Sequence, residues 1–302
     1  MPITAIRLLA ALCHCFPVSG FDSLTSLQQR LLTSWFDHPE VVADHSWGLI
    51  DTVVLHVRDR LREAVVKAGS PTNHHIAREI AARRRWTRPW LKAGAIGSLL
   101  HASEEAHLMA IEFLPGRLVQ DVPEAAGDPE VYRQAGILLA MFHEQSSVFD
   151  DEYEHAADRK ALALLDRGHR IAPSTVARLR AAVSSHDRDP VELVATHGDW
   201  QTRNWLIDHR MIRVIDLGRA ELRPRLTDFA RLARREWEGR PDLEEAFLDG
   251  YGGDPRDPAA WRATLLREAI GTAVWAYLVG DLAFEEQGHR MIAQSLEMYQ
   301  DG

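Results

Sequence analysis

The sequence predicts an α+β fold of two lobes, a small N-terminal β-sheet lobe and a larger, mainly helical C-terminal lobe. Three observations carry this expectation. Strand-like runs crowd the chain before residue 114, a Leu114-Pro115-Gly116 break follows, and helical periodicity dominates from there onward. The chain has 302 residues, 46% of them hydrophobic and 26% charged, enough for a substantial core divided between two lobes.

Leu24 to Phe36 reads as a helix, with Leu24, Leu27, Leu31 and Leu32 on its apolar face. Thr52 to Val57 and Ala64 to Ala68 are β-branched and apolar, hence strands. His74 to Trp86, rich in Ala, Arg and Glu, is a helix, and Leu99 to Ala102 and His107 to Phe113 are two more strands. Pro129 to Gln145 is a helix with Val131, Ile137, Leu138, Met141 and Phe142 as its core face. Ala157 to Leu165 and Ser174 to Ser184 are further helices. One compact β-island follows, from Leu193 to Thr196, Trp205 to Ile207 and Ile212 to Ile215. Helices then run over Leu226 to Trp237, Asp242 to Tyr251, Pro258 to Leu278 and Asp281 to Tyr299. A small sheet lobe, a one-segment hinge near Glu112 and a helical lobe with a short hairpin make up a protein-kinase-like bilobal architecture, which binds its ligand in the cleft between lobes. The expected divisions are an extension over residues 1–22, a nucleotide-binding lobe over 23–114, and a catalytic and substrate-binding lobe over 115–302.

Composition narrows the function classes. With 35 Lys and Arg against 44 Asp and Glu the formal charge is -9, which argues against nucleic-acid and anionic-membrane partners. No apolar run reaches the ~18 residues of a membrane span. The run Leu8 to Phe16 after Arg7 resembles a signal-peptide core, but a single charge precedes it and no small-x-small cleavage site follows; an extra helix or loose extension is expected there. Cys13 and Cys15, the two cysteines, are too close for a stapling disulfide and lack a second pair for zinc. A reduced, cytoplasmic protein, monomeric or weakly homodimeric, is the simple reading.

The chemistry concentrates in His197-Gly198-Asp199-Trp200-Gln201-Thr202-Arg203-Asn204, followed by Val214-Ile215-Asp216-Leu217-Gly218. Phosphoryl transfer asks for a carboxylate near the acceptor hydroxyl and for oxygen ligands that hold Mg²⁺ against the phosphates. Asp199 can supply the first, and Asn204 and Asp216 the second. A hairpin over the two short strands brings Asn204 and Asp216 to one edge, in the kinase order H-x-D-x-x-x-x-N then D-x-G. Upstream, Lys67 lies inside the apolar strand Val65-Val66-Lys67-Ala68, where a charge is costly unless paired or used. The following helix offers Glu79 as its partner, and kinases set such a lysine on the nucleotide phosphates.

These segments, with Thr227-Asp228-Phe229-Ala230, resemble the aminoglycoside phosphotransferase family, which shares its fold with choline, homoserine and methylthioribose kinases. The H-G-D form is typical of those small-molecule kinases, and Gly136 to His143 looks like the family's helix before the catalytic loop. The resemblance spans roughly residues 40–300 and is strong only in the second half. It implies an ATP- and Mg²⁺-dependent enzyme acting on a small-molecule hydroxyl. Asp199 would be the catalytic base, His197 the residue orienting its loop, Asn204 and Asp216 the metal ligands, and Asp228 a buttress. Ile111 to Gly116 looks like the family's hinge, where backbone groups around Glu112 and Leu114 would meet adenine.

The chain departs from its relatives in two places. It has no G-x-G-x-x-G over the phosphates; the candidate is Asp44-His45-Ser46-Trp47-Gly48, with the Ser46 hydroxyl or an N–H near Gly48 touching phosphate. Gln201, with Arg203 beyond it, stands where relatives carry Lys or His, and one of the two is a candidate for the γ-phosphate. For the acceptor, Glu236, Glu238, Asp281, Glu285 and Glu286 would suit a polycationic aminoglycoside, the favoured substrate, and Trp237, Trp275 and Tyr277 a quaternary amine or sugar. The alternatives are a metabolic kinase on choline, an amino alcohol or a sugar, and a non-catalytic nucleotide-binding protein. The last is disfavoured because Lys67, Asp199, Asn204 and Asp216 are all present. Only nine residues separate Gly218 from Asp228, too few for the activation loop of a kinase that acts on proteins.

Overall fold

The computed structural model describes residues 21–46 and 51–299. The apolar run Leu8 to Phe16, both cysteines, Trp47 and Gly48 lie outside the described residues. The chain divides into two compact units, one running up to Ala81 with Gly97–Leu114 added, the other formed by Ala82–Ile96 and everything from Pro115.

The first unit is built on five antiparallel strands. In chain order its elements are α1 (Ser26–Trp35), β1 (Pro39–Asp44), β2 (Thr52–Asp59), β3 (Arg62–Gly69), the start of α2 (His74–Trp86), β4 (Leu99–Ser103) and β5 (Leu108–Glu112), with α3 (Arg88–Lys92) belonging to the second unit. The sheet order is β1-β2-β3-β5-β4. Thr25 opens α1 with a capping box, its hydroxyl accepting from the Gln28 amide while Gln28 reaches back. Strand parity then sorts the sheet faces. Ala64, Val66, Ala68, Leu108 and Ala110 pack with Leu24, Leu32 and Phe36 around α1. The alternate residues Val65, Met109 and Ile111 pack with Ile76 and Ile80 of α2. Lys67 shares the parity of Val65 and pairs with Met109, so it lies on the α2 side. β1 lies outside the strands that the sequence predicts.

The second unit carries β6 (Arg117–Leu118), α4 (Pro123–Ala126), α5 (Pro129–His143), β7 (Ser147–Asp150), α6 (Tyr153–Leu164), α7 (Pro173–Ser184), β8 (Val191–Thr196), β9 (Trp205–Asp208), β10 (Met211–Val214), β11 (Glu221–Arg223), α8 (Phe229–Ala233), α9 (Pro241–Tyr251), α10 (Pro258–Val279) and α11 (Leu282–Glu297). Trp90, Trp200, Trp205, Phe142, Phe229 and Phe247 centre its main core, and α6, α7, α10 and α11 enclose a second.

Three expectations are corrected. The single β-island is two three-stranded sheets, β10-β9-β6 and β11-β8-β7, so the strand before the catalytic loop and the hairpin after it belong to different sheets. Ile137 is 37% exposed; the inward face of α5 is Val131, Tyr132, Ala135, Leu138, Leu139 and Phe142, a 3.6-residue stripe that Ile137 misses. The helix expected over Leu226 to Trp237 is a 3₁₀ turn at Arg225–Asp228 and a short α8. The amides of Arg235, Glu236 and Trp237 all converge on the Leu232 carbonyl, which ends the helix there.

Candidate active site

The loop from His197 to Asn204 leaves β8 and is pinned from below by an aromatic stack. Trp200 is fully buried, 5.8 Å from Trp90 and 5.4 Å from Trp205 between ring centres. The His197 ring accepts the Asp199 amide at Nδ1, 3.3 Å, while Nε2 lies 3.1 Å from the Ile215 carbonyl; that pairing calls for the tautomer protonated on Nε2. His197 thus ties its own loop to the chain entering Asp216. Gly198 has φ +77°, and a Cβ there would stand 2.3 Å from the Arg219 carbonyl, so only glycine fits the turn. Asp228 accepts the amides of His197 and Gly198 at 2.7 and 2.6 Å and faces His143 at 3.1 Å.

Asp199 is 4% exposed and its two oxygens meet four side-chain donors. Gln201 Nε2 (2.5 Å) and Arg231 Nη1 reach Oδ1; Arg203 Nη2 (2.7 Å) and Asn204 Nδ2 (3.0 Å) reach Oδ2. Burial pushes its pKa up, but Arg231, Arg203 and Arg219 together outweigh burial and hold the carboxyl well below the usual range. The group is therefore ionised at neutral pH.

Asn204 also donates to the Asp199 carbonyl at 2.8 Å, so its amide nitrogen is committed and its Oδ1, which accepts no hydrogen bond among the described residues, stays available to a cation. β9 pairs with β10, Trp205 opposite Val214, and the Ile215 amide bonds the Asn204 carbonyl at 3.0 Å. This brings Asn204 and Asp216 to one end of the hairpin. Asp216 is held in a left-handed conformation, φ +65°. No cluster of three His, Cys, Asp or Glu side chains capable of caging a metal exists among the described residues. One amide oxygen and one carboxylate suit Mg²⁺, which takes few protein ligands and completes its shell with phosphate oxygens and water.

In the first unit, Lys67 Nζ and Glu79 Oε2 are 2.7 Å apart, with side chains 11% and 2% exposed. Strand parity and the Ile76-Glu79-Ile80 face of α2 produce this contact. The Ser46 hydroxyl accepts the Val54 amide at 3.0 Å, closing the β1–β2 turn. Glu112 bonds Ser98 through backbone and carboxylate, and Leu114 follows β5 without regular structure.

The acids and aromatics proposed for the acceptor have other partners. Glu285 forms a two-point pair with Arg170 at 3.0 and 2.7 Å, Asp281 caps α11, Glu286 meets Arg290 and Glu238 meets Gln294. Glu236 alone reaches the catalytic loop, through the Thr202 hydroxyl at 3.1 Å, and burial raises its pKa. Trp237 is in the core, Trp275 packs edge-on to Phe284, and Tyr277 lies under Arg170. Sequence reasoning missed Arg219, Arg231 and Arg235; the density of arginines from Arg219 to Arg235 was the available signal.

An antiparallel-sheet unit and a helical unit that holds an H-G-D loop and a D-x-G turn make up the fold of a small-molecule kinase, an enzyme that transfers a phosphoryl group to an alcohol. The profile of the Phosphotransferase enzyme family matches residues 41–264, and the chain belongs to that family. No curated relative matches in sequence. Among solved structures, the chain resembles a thermostable mutant of the aminoglycoside phosphotransferase APH(4)-Ia in complex with ADP and hygromycin B, with a TM-score of 0.67 at 14% identity over 91% of this chain and 99% of that one. A macrolide 2'-phosphotransferase from Brachybacterium faecium gives 0.59 at 19% identity, covering 89% and 98%. A choline/ethanolamine kinase family protein from Mesorhizobium loti gives 0.58 at 17%, covering 89% and 90%. At these identities the likeness is one of fold.

Proposed function

We propose that this chain is an ATP- and Mg²⁺-dependent kinase in which Asp199 receives the hydroxyl of a small-molecule acceptor. The observation that carries the reading is the buried, ionised Asp199, joined through Asn204 to the hairpin end that also bears Asp216. In this reading Asn204 Oδ1 and Asp216 would hold a magnesium ion, which when bound would supply charge neutralisation for the phosphates. Lys67, oriented by Glu79, binds the nucleotide phosphates, and backbone groups around Glu112 and Leu114 meet the adenine. Asp199 is a weak base at so low a pKa, and the loose transition state of phosphoryl transfer asks it chiefly to orient the hydroxyl and accept the proton late. A carboxylate offers about four lone-pair sites, so an incoming hydroxyl must displace or share with one of the four donors now in place.

The reading carries with it a cytoplasmic enzyme, monomeric or weakly dimeric. No described helix is long and apolar enough to cross a membrane. The test is ADP release with Mg²⁺ and ATP across a panel of alcohols, with Asp199→Ala alongside. The variant should lose at least about 100-fold in kcat on any acceptor that turns over, since general-base and positioning effects of this kind contribute 10²–10⁴-fold. Undiminished turnover by Asp199→Ala would remove Asp199 from the reaction.

A further inference from the structure

The surroundings of Asp199 are far more basic than the chain as a whole, whose formal charge is -9. Four guanidinia gather there. Arg203 and Arg231 bond the carboxylate itself, Arg235 Nη1 donates to Gln201 Oε1 at 3.1 Å, and Arg219 is close enough for Arg231, Arg203 and Asp199 all to act on its charge. The carboxylates around them are Asp199, Asp216 on the D-x-G turn, Glu268 (3.1 Å from Arg231) and the half-buried Glu236. One of the four guanidinia stands apart. The Arg219 side chain makes no hydrogen bond or ion pair among the described residues, and its backbone is wedged against Gly198 in the H-G-D turn. Burial and the neighbouring Arg231 both work against its charge, the condition of a guanidinium that lacks its anion.

The basic character continues outward. A groove of about 240 Å³ is lined by Arg234, Arg235 and Arg290 together with Glu238 and Gln294. Arg234 donates to Gln294 and Ser295 at 2.8 and 2.6 Å and has no carboxylate partner among the described residues. Arg235 both lines this groove and donates to the Gln201 side chain, which in turn bonds Asp199, so the groove adjoins the surroundings of Asp199.

Resting on the phosphotransferase reading above, we propose that the acceptor alcohol carries an anionic group, a carboxylate or phosphate ester, which Arg219 and Arg235 receive while its hydroxyl lies at Asp199. A planar guanidinium matches either oxyanion with two parallel hydrogen bonds. The reading predicts selection by charge. A site built around the half-buried Arg219, which has no ion pair among the described residues, disfavours a neutral isostere because that guanidinium is then left without a counter-charge.

The experiment has two arms. Equilibrium binding without nucleotide compares small hydroxycarboxylates, phosphomonoesters bearing a free hydroxyl, the matching hydroxyamides, and a polycationic aminoglycoside. ADP release is measured on the same compounds with Mg²⁺ and ATP. At least one anion class should bind and turn over about 100-fold better than its neutral match. Arg219→Met and Arg235→Met should each weaken anion binding about tenfold while the KM for ATP moves less than about twofold, and Arg219→Lys should recover part of the loss. Thermal melts of each variant exclude unfolding as the cause. Preference for the amide or the aminoglycoside, or no preference at all, overturns the inference. So does a rise in the KM for ATP with Arg219→Met that is equal for every acceptor, because the guanidinium would then serve the nucleotide. Absence of ADP release with intact anion binding strikes the phosphotransferase reading instead and leaves the anion site standing.

Discussion

Asp228 shows how one buried residue shapes the loop from His197 to Asn204 from outside it. Its two oxygens take the amides of consecutive residues, His197 and Gly198, and His143 backs it at 3.1 Å. Burial opposes its charge, yet the hydrogen bond and charge of His143, with help from His197, keep its pKa below the usual aspartate value. The ionised form therefore contributes stability that is complete above the ordinary value near 4 and is lost as pH falls through the lower folded value. Asp228→Asn turns an acceptor into a donor facing an amide and should cost about 3 kcal/mol at pH 7. The gap in urea midpoint between variant and wild type should shrink below about pH 4, as the wild-type carboxyl protonates. A gap that stays constant down to pH 3 would mean that the charge of Asp228 does not matter. Residues of this kind were partly legible in the sequence. Asp199, Asn204 and Asp216 stand out because their chemistry depends on short spacings along the chain, and Lys67 because a charge in an apolar strand demands a partner. Arg219, Arg231 and Arg235 did not, because their convergence on Asp199 is made by tertiary placement of segments up to 36 residues away.

At the scale of elements, the closest approach in the second unit is between α5 and α9. A Cβ added at Gly136 would lie 2.1 Å from the Phe247 carbonyl, and one at Gly250 would lie 2.0 Å from the Arg133 carbonyl. The helices cross backbone to backbone, with Phe247 and Tyr251 stacked above the crossing and His143 projecting from the end of α5 to Tyr251 at 2.8 Å. Gly136→Ala must push the helices apart and should cost about 2–3 kcal/mol, read as a lower urea midpoint with an unchanged m-value. An unfolding free energy within about 0.5 kcal/mol of wild type would show that the crossing gives way without strain. The long helices were legible from their length and composition: His74–Trp86, rich in Ala, Arg and Glu, was foreseen to the residue, and α10 to within one. The short strands were not. β6, β7 and β11 have two to four residues each and find partners far along the chain, so no local pattern announces them. The helix expected from Leu226 failed for a physical reason also tied to the site, since Asp228 at the turn into α8 is drawn toward the His197 and Gly198 amides.

Across the whole molecule, the net charge of -9 repels a nucleotide anion at long range, so its binding must rest on local cations. In the proposed function those are Lys67 and a magnesium ion carried by Asn204 and Asp216. Such a ligand binds the folded chain alone and raises stability by about 2.7 kcal/mol at a hundred times its Kd. For a chain of 302 residues that corresponds to a rise in Tm of roughly 4 °C. ATP with Mg²⁺ should produce this shift, and ATP with excess chelator should produce little of it, because the bare phosphates would face Asp216 without the ion between them. Asp216→Asn should abolish most of the difference between the two conditions. Lys67→Met should lower the shift in both, since it removes a cation that acts on the phosphates whether or not the metal is there. The two variants thus separate the metal's share of nucleotide binding from the lysine's, and an equal shift with and without Mg²⁺ in the wild type would take Asn204 and Asp216 out of the metal role.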